Sequence, residues 1–246
     1  MGVLLSSGFY GTIFLNNFLR ETYFERRSEL EKNIENLLDK NVDLGDYSGI
    51  RFLGISLVNS KITDKENLNS VIKAKRVYVG IMPLKSFLSQ KLVVKIRPEQ
   101  TEINLDRDFF KRKRQKIKKP ISNKSKFNYD LIFSFEKYAA LKLYNFGLRN
   151  KFKGDVIYKS DNKALIAKVK SKFDGKGFLK FKFNTKLNKD LFSLEVFSRG
   201  VDLKGSEYNI GNRKIKFKKG KFRSNFKFYK SSKQTFCKGR FSFTKL

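Results

Sequence analysis

The sequence predicts a mainly β protein that begins with a helical segment. After Asn41 the hydrophobic residues change from a helical period of about 3.6 to the strand period of 2. From Phe127 onward, alternating segments recur about every ten residues. Glycines with Asn, Asp or Ser neighbours separate these segments, which is typical of turns. This spacing indicates a β-meander, a β-sandwich or an elongated β-solenoid.

The first element is a run of 17 uncharged residues, 3–19, which ends at Arg20 and Glu21. This length is close to the minimum for a helix that spans a bilayer. A membrane anchor, a helix packed on the fold and the core of a signal peptide are the alternatives. The signal peptide is the least favoured, because no Lys or Arg precedes the run and no small-residue cleavage site follows it. We expect a membrane anchor.

An amphipathic helix is predicted directly after this run. Its apolar residues follow the spacing i, i+4, i+7 and i+8, which places them on one stripe: Leu30, Ile34, Leu37 and Leu38. We expect this helix to continue from the uncharged run and to cap one end of a sheet. The two pieces together form the first region, residues 1–40.

Two further regions precede the long alternating part of the chain. Residues 41–110 read as a first β domain, in which Pro83 opens a short helix over LKSFLSQ. Residues 111–119 contain seven Lys or Arg side chains, and Pro120 follows them. Such a run matches a crude nucleic-acid patch, but it is more typical of a solvated connector. We therefore expect residues 111–126 to be a basic linker.

The last region, residues 127–246, has two segregated faces. Phenylalanine, leucine and isoleucine occupy one set of alternate positions, and lysine and arginine occupy the other. This pattern fits the core of a closed sandwich, and it also fits an open trough that acyl chains or a partner would cover. Alternation leaves both possibilities open. The candidate trough residues are Phe133, Phe135, Phe181, Phe183, Phe217, Phe226 and Phe228.

Composition excludes several classes of function. The chain has no histidine and only one cysteine, Cys237, so it contains no Ser-His-Asp or Cys-His constellation and no thiolate metal cage of its own. GxGxxG, GxxxxGK[ST] and GxSxG motifs are absent from the sequence. We expect a protein that is not an enzyme and that uses neither a metal nor a cofactor.

The charge points to acidic partners. Lys plus Arg number 55 against 23 Asp plus Glu, which gives a formal net charge of +32. Nucleic acid, anionic lipid and an acidic protein surface are the partners that such a charge attracts. Segments such as LKFKFN interleave basic and aromatic residues, but neighbours in a strand point to opposite faces. The phenylalanines would then be buried, so a nucleic-acid-binding protein is the alternative interpretation and not the first one.

The order of motifs resembles one known family. Helix ELEKNIENLLDK leads into the turn Val42-Asp43-Leu44-Gly45, a strand follows from Gly49 to Leu57, and KLVVKIRPEQTEINLDRD ends at Asp108. The stretch GVDLKGSEYNIGNRKIKFKKGKF begins at Gly200. These segments are similar to the amino-terminal portion of the TamB-like members of the AsmA superfamily, particularly the branch of cyanobacteria and plastid envelopes.

This resemblance implies a fold and a role. The fold is an N-terminal anchor helix followed by an elongated antiparallel β-taco, a solenoid-like sheet whose groove the phenylalanines line. Residues 41–110 would be the N-terminal β domain of the family, and residues 127–246 a truncated groove segment. The implied location is the inner (plasma) membrane, with a single-pass anchor and the bulk of the chain in the periplasm or intermembrane space.

The implied function is non-enzymatic. Such a protein carries phospholipid between the inner and outer membranes, supports translocation and assembly of outer-membrane proteins, or does both. Its expected partners are phospholipids, the inner membrane and an outer-membrane barrel-assembly protein.

Overall fold

The computed structural model describes residues 2–65, 71–105, 128–143, 148–173, 177–186, 191–202, 207–210, 213–216, 218–232 and 234–244. These residues are mainly in strands, so the predicted mainly β class is confirmed. The chain begins with helix α1 (Gly2–Leu38).

The first group of strands is β1 (Asn41–Asp43), β2 (Asp46–Arg51), β3 (Gly54–Thr63), β4 (Val71–Ile81) and β5 (Leu92–Leu105), with the short helix α2 (Pro83–Ser89) between β4 and β5. The second group is β6 (Tyr129–Leu143), β7 (Leu148–Lys159), β8 (Ala164–Phe173), β9 (Phe178–Lys186), β10 (Leu191–Asp202), β11 (Glu207–Ile210), β12 (Arg213–Lys216), β13 (Lys221–Lys230) and β14 (Thr235–Thr244).

Twelve of these strands form one mixed sheet. Its order is β1-β3-β4-β5-β6-β7-β8-β9-β10-β13-β14, with β2 also paired to β3, while β11 and β12 pair separately. Every pair in the large sheet is antiparallel except β5–β6, where Val94 aligns with Leu131 and Ile96 with Phe133. The expectation of a wholly antiparallel sheet is therefore wrong at this pair. Residues 106–127, between these two strands, lie outside the described residues.

The parallel pair joins the two predicted β regions in one sheet. Residues 41–110 contribute β1 to β5 to this sheet, and residues 127–246 contribute β6 to β10, β13 and β14. The predicted basic linker, residues 111–126, lies outside the described residues. The predicted short helix after residue 82 is confirmed as α2, with Pro83 in its first turn.

Helix α1 confirms that the uncharged run and the amphipathic segment form one continuous helix. The apolar stripe predicted for the amphipathic segment is only partly buried, since Ile34 is half-buried but Leu30 is 45 % exposed. In the described part of the chain, no helix is long and apolar enough to cross a membrane. Asn16 Oδ1 accepts hydrogen bonds from the Tyr47 hydroxyl (3.0 Å) and the Ile50 N–H (3.3 Å). This end of the uncharged run therefore lies against β2.

A buried tyrosine fixes α1 on the turn between β1 and β2. Tyr23 is 6 % exposed, and its hydroxyl donates a hydrogen bond to the Gly45 carbonyl oxygen at 2.6 Å. From the next turns of the helix, Glu31 Oε1 accepts a hydrogen bond from the Leu44 N–H at 2.9 Å. Side chains of α1 thus satisfy two backbone groups of the turn, the Gly45 carbonyl and the Leu44 N–H.

Arg27 adds a charged contact to the same junction. Its guanidinium lies 2.8 Å from Glu31, 2.7 Å from Asp43 and 3.1 Å from Asp46. The Arg27 side chain is 26 % exposed, so these pairs are less screened than fully exposed ones. One guanidinium therefore connects the helix to both ends of the turn.

Gly45 is a position where a side chain cannot fit. Its φ is +81°, and a Cβ there would lie 2.0 Å from the Val58 carbonyl oxygen. We expect Gly45→Ala to lower the free energy of unfolding by more than about 3 kcal/mol, because the clash with backbone adds to the strain of a positive φ. Urea denaturation followed by circular dichroism would measure this loss. Gly200→Ala is the control, since Gly200 has φ +59° but open space around it, and should cost about 1–2 kcal/mol. Equal losses would contradict the clash.

Stability should also depend on the ionisation of Tyr23. Burial raises the pKa of Tyr23 from 10.0 to about 12. The folded state then favours the neutral phenol, so this contribution is complete below pH 10 and is lost as the pH rises toward 12. Between about pH 8 and about pH 11, the wild-type protein should lose about 1–2 kcal/mol more than a Tyr23→Phe variant in urea denaturation. If the wild-type protein and the Tyr23→Phe variant show the same pH dependence, the Tyr23 phenol has the same pKa in the folded and unfolded states, and the prediction is wrong.

Candidate functional site

The strand registers place six of the seven candidate phenylalanines on one face of the sheet. Residues that pair directly across strands share a face, so each register row can be followed from β6 to β13. The first row is Phe133, Val156, Ala167, Phe183, Leu194 and Phe228. The second row is Phe135, Gly154, Val169, Phe181, Val196 and Phe226. We call this surface the phenylalanine face. The seventh candidate, Phe217, lies outside the described residues.

Small side chains between the rings make this face compact. Ala167 and Val169 of β8 are buried, and the half-buried rings of Phe135, Phe181 and Phe183 pack against their cluster. Large side chains on β6 and β9 therefore cover the small side chains of the strands between them. Helix α1 packs mainly on β1 and β2, and α2 on β5, so neither helix forms a layer over the phenylalanine face of β6–β14.

The aromatic rings continue toward β14. Phe192 lies 5.2 Å from Phe183 and 5.6 Å from Phe228, measured between ring centroids. Phe241 lies 5.6 Å from Phe226 and is 58 % exposed. The face is therefore widest open at the edge strand β14. The candidate set had left out these rings, although the same alternation contains them: Phe192, Phe222, Phe241 and Phe243.

Three serines lie on one register row of the phenylalanine face, with Leu179 between Ser171 and Ser198. Ser198 and Ser224 are buried, and their hydroxyl oxygens lie 2.8 Å apart in a hydrogen bond. Ser171 is buried as well and donates a hydrogen bond to the Lys151 carbonyl oxygen at 3.2 Å. Because these hydroxyls are satisfied within the sheet, they add no unpaired polar group to the apolar surface.

On one row of the opposite face, basic side chains pair with acidic ones. Glu195 of β10 lies 3.7 Å from Lys182 of β9 and 3.2 Å from Lys227 of β13. The hydrogen bond from Lys227 lowers the pKa of the Glu195 carboxyl below its usual value. On the same row, the Ser134 hydroxyl donates a hydrogen bond to Asp155 at 2.6 Å. Basic side chains of this row therefore have acidic neighbours.

Two adjacent rows of this face differ, because every ionisable side chain that β7, β8, β9, β10, β13 and β14 contribute to them is basic. Each of the strands β8, β9, β10, β13 and β14 contributes one arginine or lysine that makes no ion pair with a described carboxylate, and we call this set the basic stripe: Lys170, Lys180, Arg199, Arg223 and Arg240. Its three arginines and Phe197 line an open cleft of about 440 Å³. The three guanidiniums repel one another there, and an anion would relieve that repulsion.

Two phenylalanines lie among the basic side chains, which corrects the expectation of fully segregated faces. Phe178 pairs with Arg199, and Phe197 pairs with Lys180. The ammonium groups of Lys170 and Lys180 each lie 5.3 Å from the centroid of the Phe178 ring. Phe197 is 42 % exposed, and its ring centroid is 5.9 Å from that of Phe178. The argument that all phenylalanines are buried away from the lysines therefore fails at these positions.

Apolar side chains also occur on the opposite face near β6. Ile132, Ile157 and Ile166 form one register row there and are half-buried. Among the residues that the structure describes, no group of three or more Cys, Asp or Glu side chains could hold a metal ion. The arrangement is thus one of surfaces, an apolar one and a basic one, on the two sides of a single sheet.

Comparison with known proteins adds no assignment. No family model matches the chain, and no curated protein or solved structure is significantly similar to it. The resemblance to the TamB-like family remains a prediction from the sequence.

Proposed function

We propose that the protein carries phospholipid, with the acyl chains lying along the phenylalanine face. The single observation that supports this most strongly is the half-buried state of Phe133, Phe135, Phe181, Phe183 and Phe226, which leaves part of each ring on an apolar surface that neither α1 nor α2 covers as a layer. An apolar surface of this kind gains about 25 cal/mol for each Å² that an acyl chain covers. A large exposed apolar patch is also the usual mark of a ligand or partner site.

The dimensions of the face suit an acyl chain. Seven adjacent strands, β6 to β10 with β13 and β14, contribute to it. At about 4.8 Å between strands, the face extends about 30 Å across the strands. One leaflet of a bilayer core is about 15 Å thick, so an extended acyl chain fits on the face with room to slide. The satisfied serine hydroxyls support this reading, because a moving acyl chain would meet no unpaired polar group at that row.

The resemblance to TamB-like proteins supplies the rest of the proposal. On that basis the protein is non-enzymatic, is attached to the inner membrane through residues 3–19, and holds its sheet in the periplasm or intermembrane space. It carries phospholipid toward the outer membrane, supports assembly of outer-membrane proteins with a barrel-assembly partner, or does both. The sheet is expected to curl into a taco whose inner surface is the phenylalanine face.

Native mass spectrometry with lipid extraction tests the apolar site. The full chain purified from a bacterial host should carry phospholipid, and a Phe181→Gln/Phe183→Gln/Phe226→Gln variant should lose most of it, because the polar amides remove the apolar contact. The matched control is Phe178→Gln/Phe197→Gln, which makes the same change on the basic face. The control should keep its lipid, and circular dichroism should show that both variants are folded. Lipid that persists in the triple variant, or disappears from the control, would refute the phenylalanine face as the site.

One specific observation favours a second candidate function, binding of single-stranded nucleic acid. The basic stripe supplies one cation on each of five adjacent strands, and Phe178 and Phe197 lie within it. Proteins that bind single strands combine cations that neutralise phosphates with aromatic rings on which bases stack. Arginine is also the preferred partner for phosphate, because its planar fork can bind two oxygens at once.

Salt dependence measures this second function. Fluorescence anisotropy with a labelled oligothymidine should show an affinity that falls as salt rises, with the slope reduced by about 0.7 for each arginine replaced in Arg199→Gln and Arg223→Gln. Phe197→Ala should weaken binding at least about fivefold through loss of stacking. Lys182→Gln/Lys227→Gln is the matched control, since both lysines already contact Glu195. If the control weakens binding as much as the arginine variants do, the attraction is general and the basic stripe is not a site.

A further inference from the structure

An exposed apolar patch occurs at the end of the sheet where β2 turns into β3. Phe52 in that turn is 88 % exposed. On the neighbouring helix α2, Leu84 is 81 % exposed, Phe87 83 % and Leu88 81 %. The three α2 residues follow the spacing i, i+3 and i+4, so they form one apolar stripe along the helix. We call this set, together with Leu53 of the turn, the apolar tip.

Backbone contacts hold the tip as one unit. The Ile81 N–H donates a hydrogen bond to the Leu53 carbonyl oxygen at 2.9 Å, which fixes the turn beside the start of α2. The Ser86 hydroxyl oxygen accepts a hydrogen bond from the Val93 N–H at 2.9 Å, which fixes α2 on β5. Hydrogen bonds to the sheet therefore hold the turn and α2 in the position that exposes these apolar side chains.

The N-terminal part of α1 leaves the fold at the same end. Along the helix, Arg27 contacts Asp46 at the start of β2, whereas Asn16 contacts Ile50 near the end of β2. The helix thus runs antiparallel to β2, and residues 2–15 extend beyond the strand by about 20 Å at 1.5 Å per residue. Phe14 is 75 % exposed on this projecting part. The projecting part of α1 and the apolar tip therefore lie at the same end of the sheet.

Basic side chains lie at the base of the tip. Arg51 precedes the turn and Lys85 lies within α2, and both are exposed. None of the ion pairs among the residues that the structure describes includes Arg51 or Lys85. Arg20 follows the uncharged run on α1 and contacts the Phe24 ring. Cations that border an apolar stripe attract anionic lipid head groups while the apolar side chains enter the acyl boundary.

From this placement we infer that the apolar tip is a membrane-docking site, which seats this end of the sheet on the interface of a bilayer containing anionic phospholipid. Phe52, Leu84, Phe87 and Leu88 enter the boundary between head groups and acyl chains, and Arg51 and Lys85 contact the head groups. The inference uses a different surface from the phenylalanine face and does not depend on lipid transport. A bilayer is favoured over a protein groove because the uncharged run of α1 projects at the same end of the sheet as the apolar tip.

The absence of tryptophan from the chain allows a direct test with the full-length protein. Phe87→Trp and Phe52→Trp each introduce a single reporter at a position that is more than four-fifths exposed. With vesicles of phosphatidylcholine and phosphatidylglycerol, both variants should show blue-shifted emission and quenching by lipids brominated in the acyl chains. The control is Phe197→Trp, which places the reporter on the basic face and should remain unquenched.

Two further comparisons separate the possible outcomes. In the Phe87→Trp protein, adding Leu84→Gln and Leu88→Gln should reduce quenching severalfold, whether or not α1 inserts, because the helix loses its apolar stripe. Vesicles of phosphatidylcholine alone should give weaker quenching. A chain that co-floats with anionic vesicles but keeps water-like emission at position 87, or one that binds no vesicles, overturns the docking site. Quenching at position 197 instead would mean that the basic face meets the membrane. A protein with the wild-type sequence at the phenylalanine face that carries no co-purified lipid, while its reporter at position 87 is still quenched, would count against the transport proposal alone.

Discussion

The strand register of the large sheet is the constraint on which both surfaces depend. Side chains alternate between faces with a period of two, so a slip of one residue between β9 and β10 would bring Phe181 beside Glu195 and not beside Val196. Burial opposes such a slip, since Val169 and Ala167 are covered only when the rings of the next strand lie on their side. The apolar contacts thus hold the register, and the register in turn assembles the basic stripe on the other side.

The bulge in β10 shows how one irregularity serves both faces. Pairing with β13 shifts between Ser198 and Val201, so two residues, Arg199 and Gly200, separate positions that are both buried. In a regular strand a single residue would separate two positions on one face. The extra residue lets the apolar face continue through Val201 while Arg199 stays beside Arg223. A local insertion therefore concentrates positive charge without interrupting the apolar packing.

The alternation of apolar and polar residues determines how much of the fold and of the candidate site the sequence could predict. Alternation reports which residues of one strand share a face, and it placed Phe181 and Phe183 correctly together. It does not report how strands pair, so the parallel β5–β6 contact could not be derived. Alternation does place Phe178 on the same face as Lys180, two residues later in β9, and the expectation of fully segregated faces overlooked this position. The LKSFLSQ helix was predicted, but the exposure of Phe87 depends on where α2 sits on β5, and only the tertiary structure contains that information.

The junction between α1 and the sheet fixes the orientation of the helix relative to the sheet. Tyr23 is buried against the β1–β2 turn, and Arg27 ties the helix to Asp43 and Asp46, so the direction of α1 is set by several independent contacts. If the projecting half of α1 and the apolar tip both meet a bilayer, the sheet is held by two attachments and cannot rotate freely about the helix. An acyl chain leaving that bilayer would then reach the phenylalanine face from one fixed direction. Under the two proposals, the junction and the apolar tip would couple membrane attachment to lipid movement.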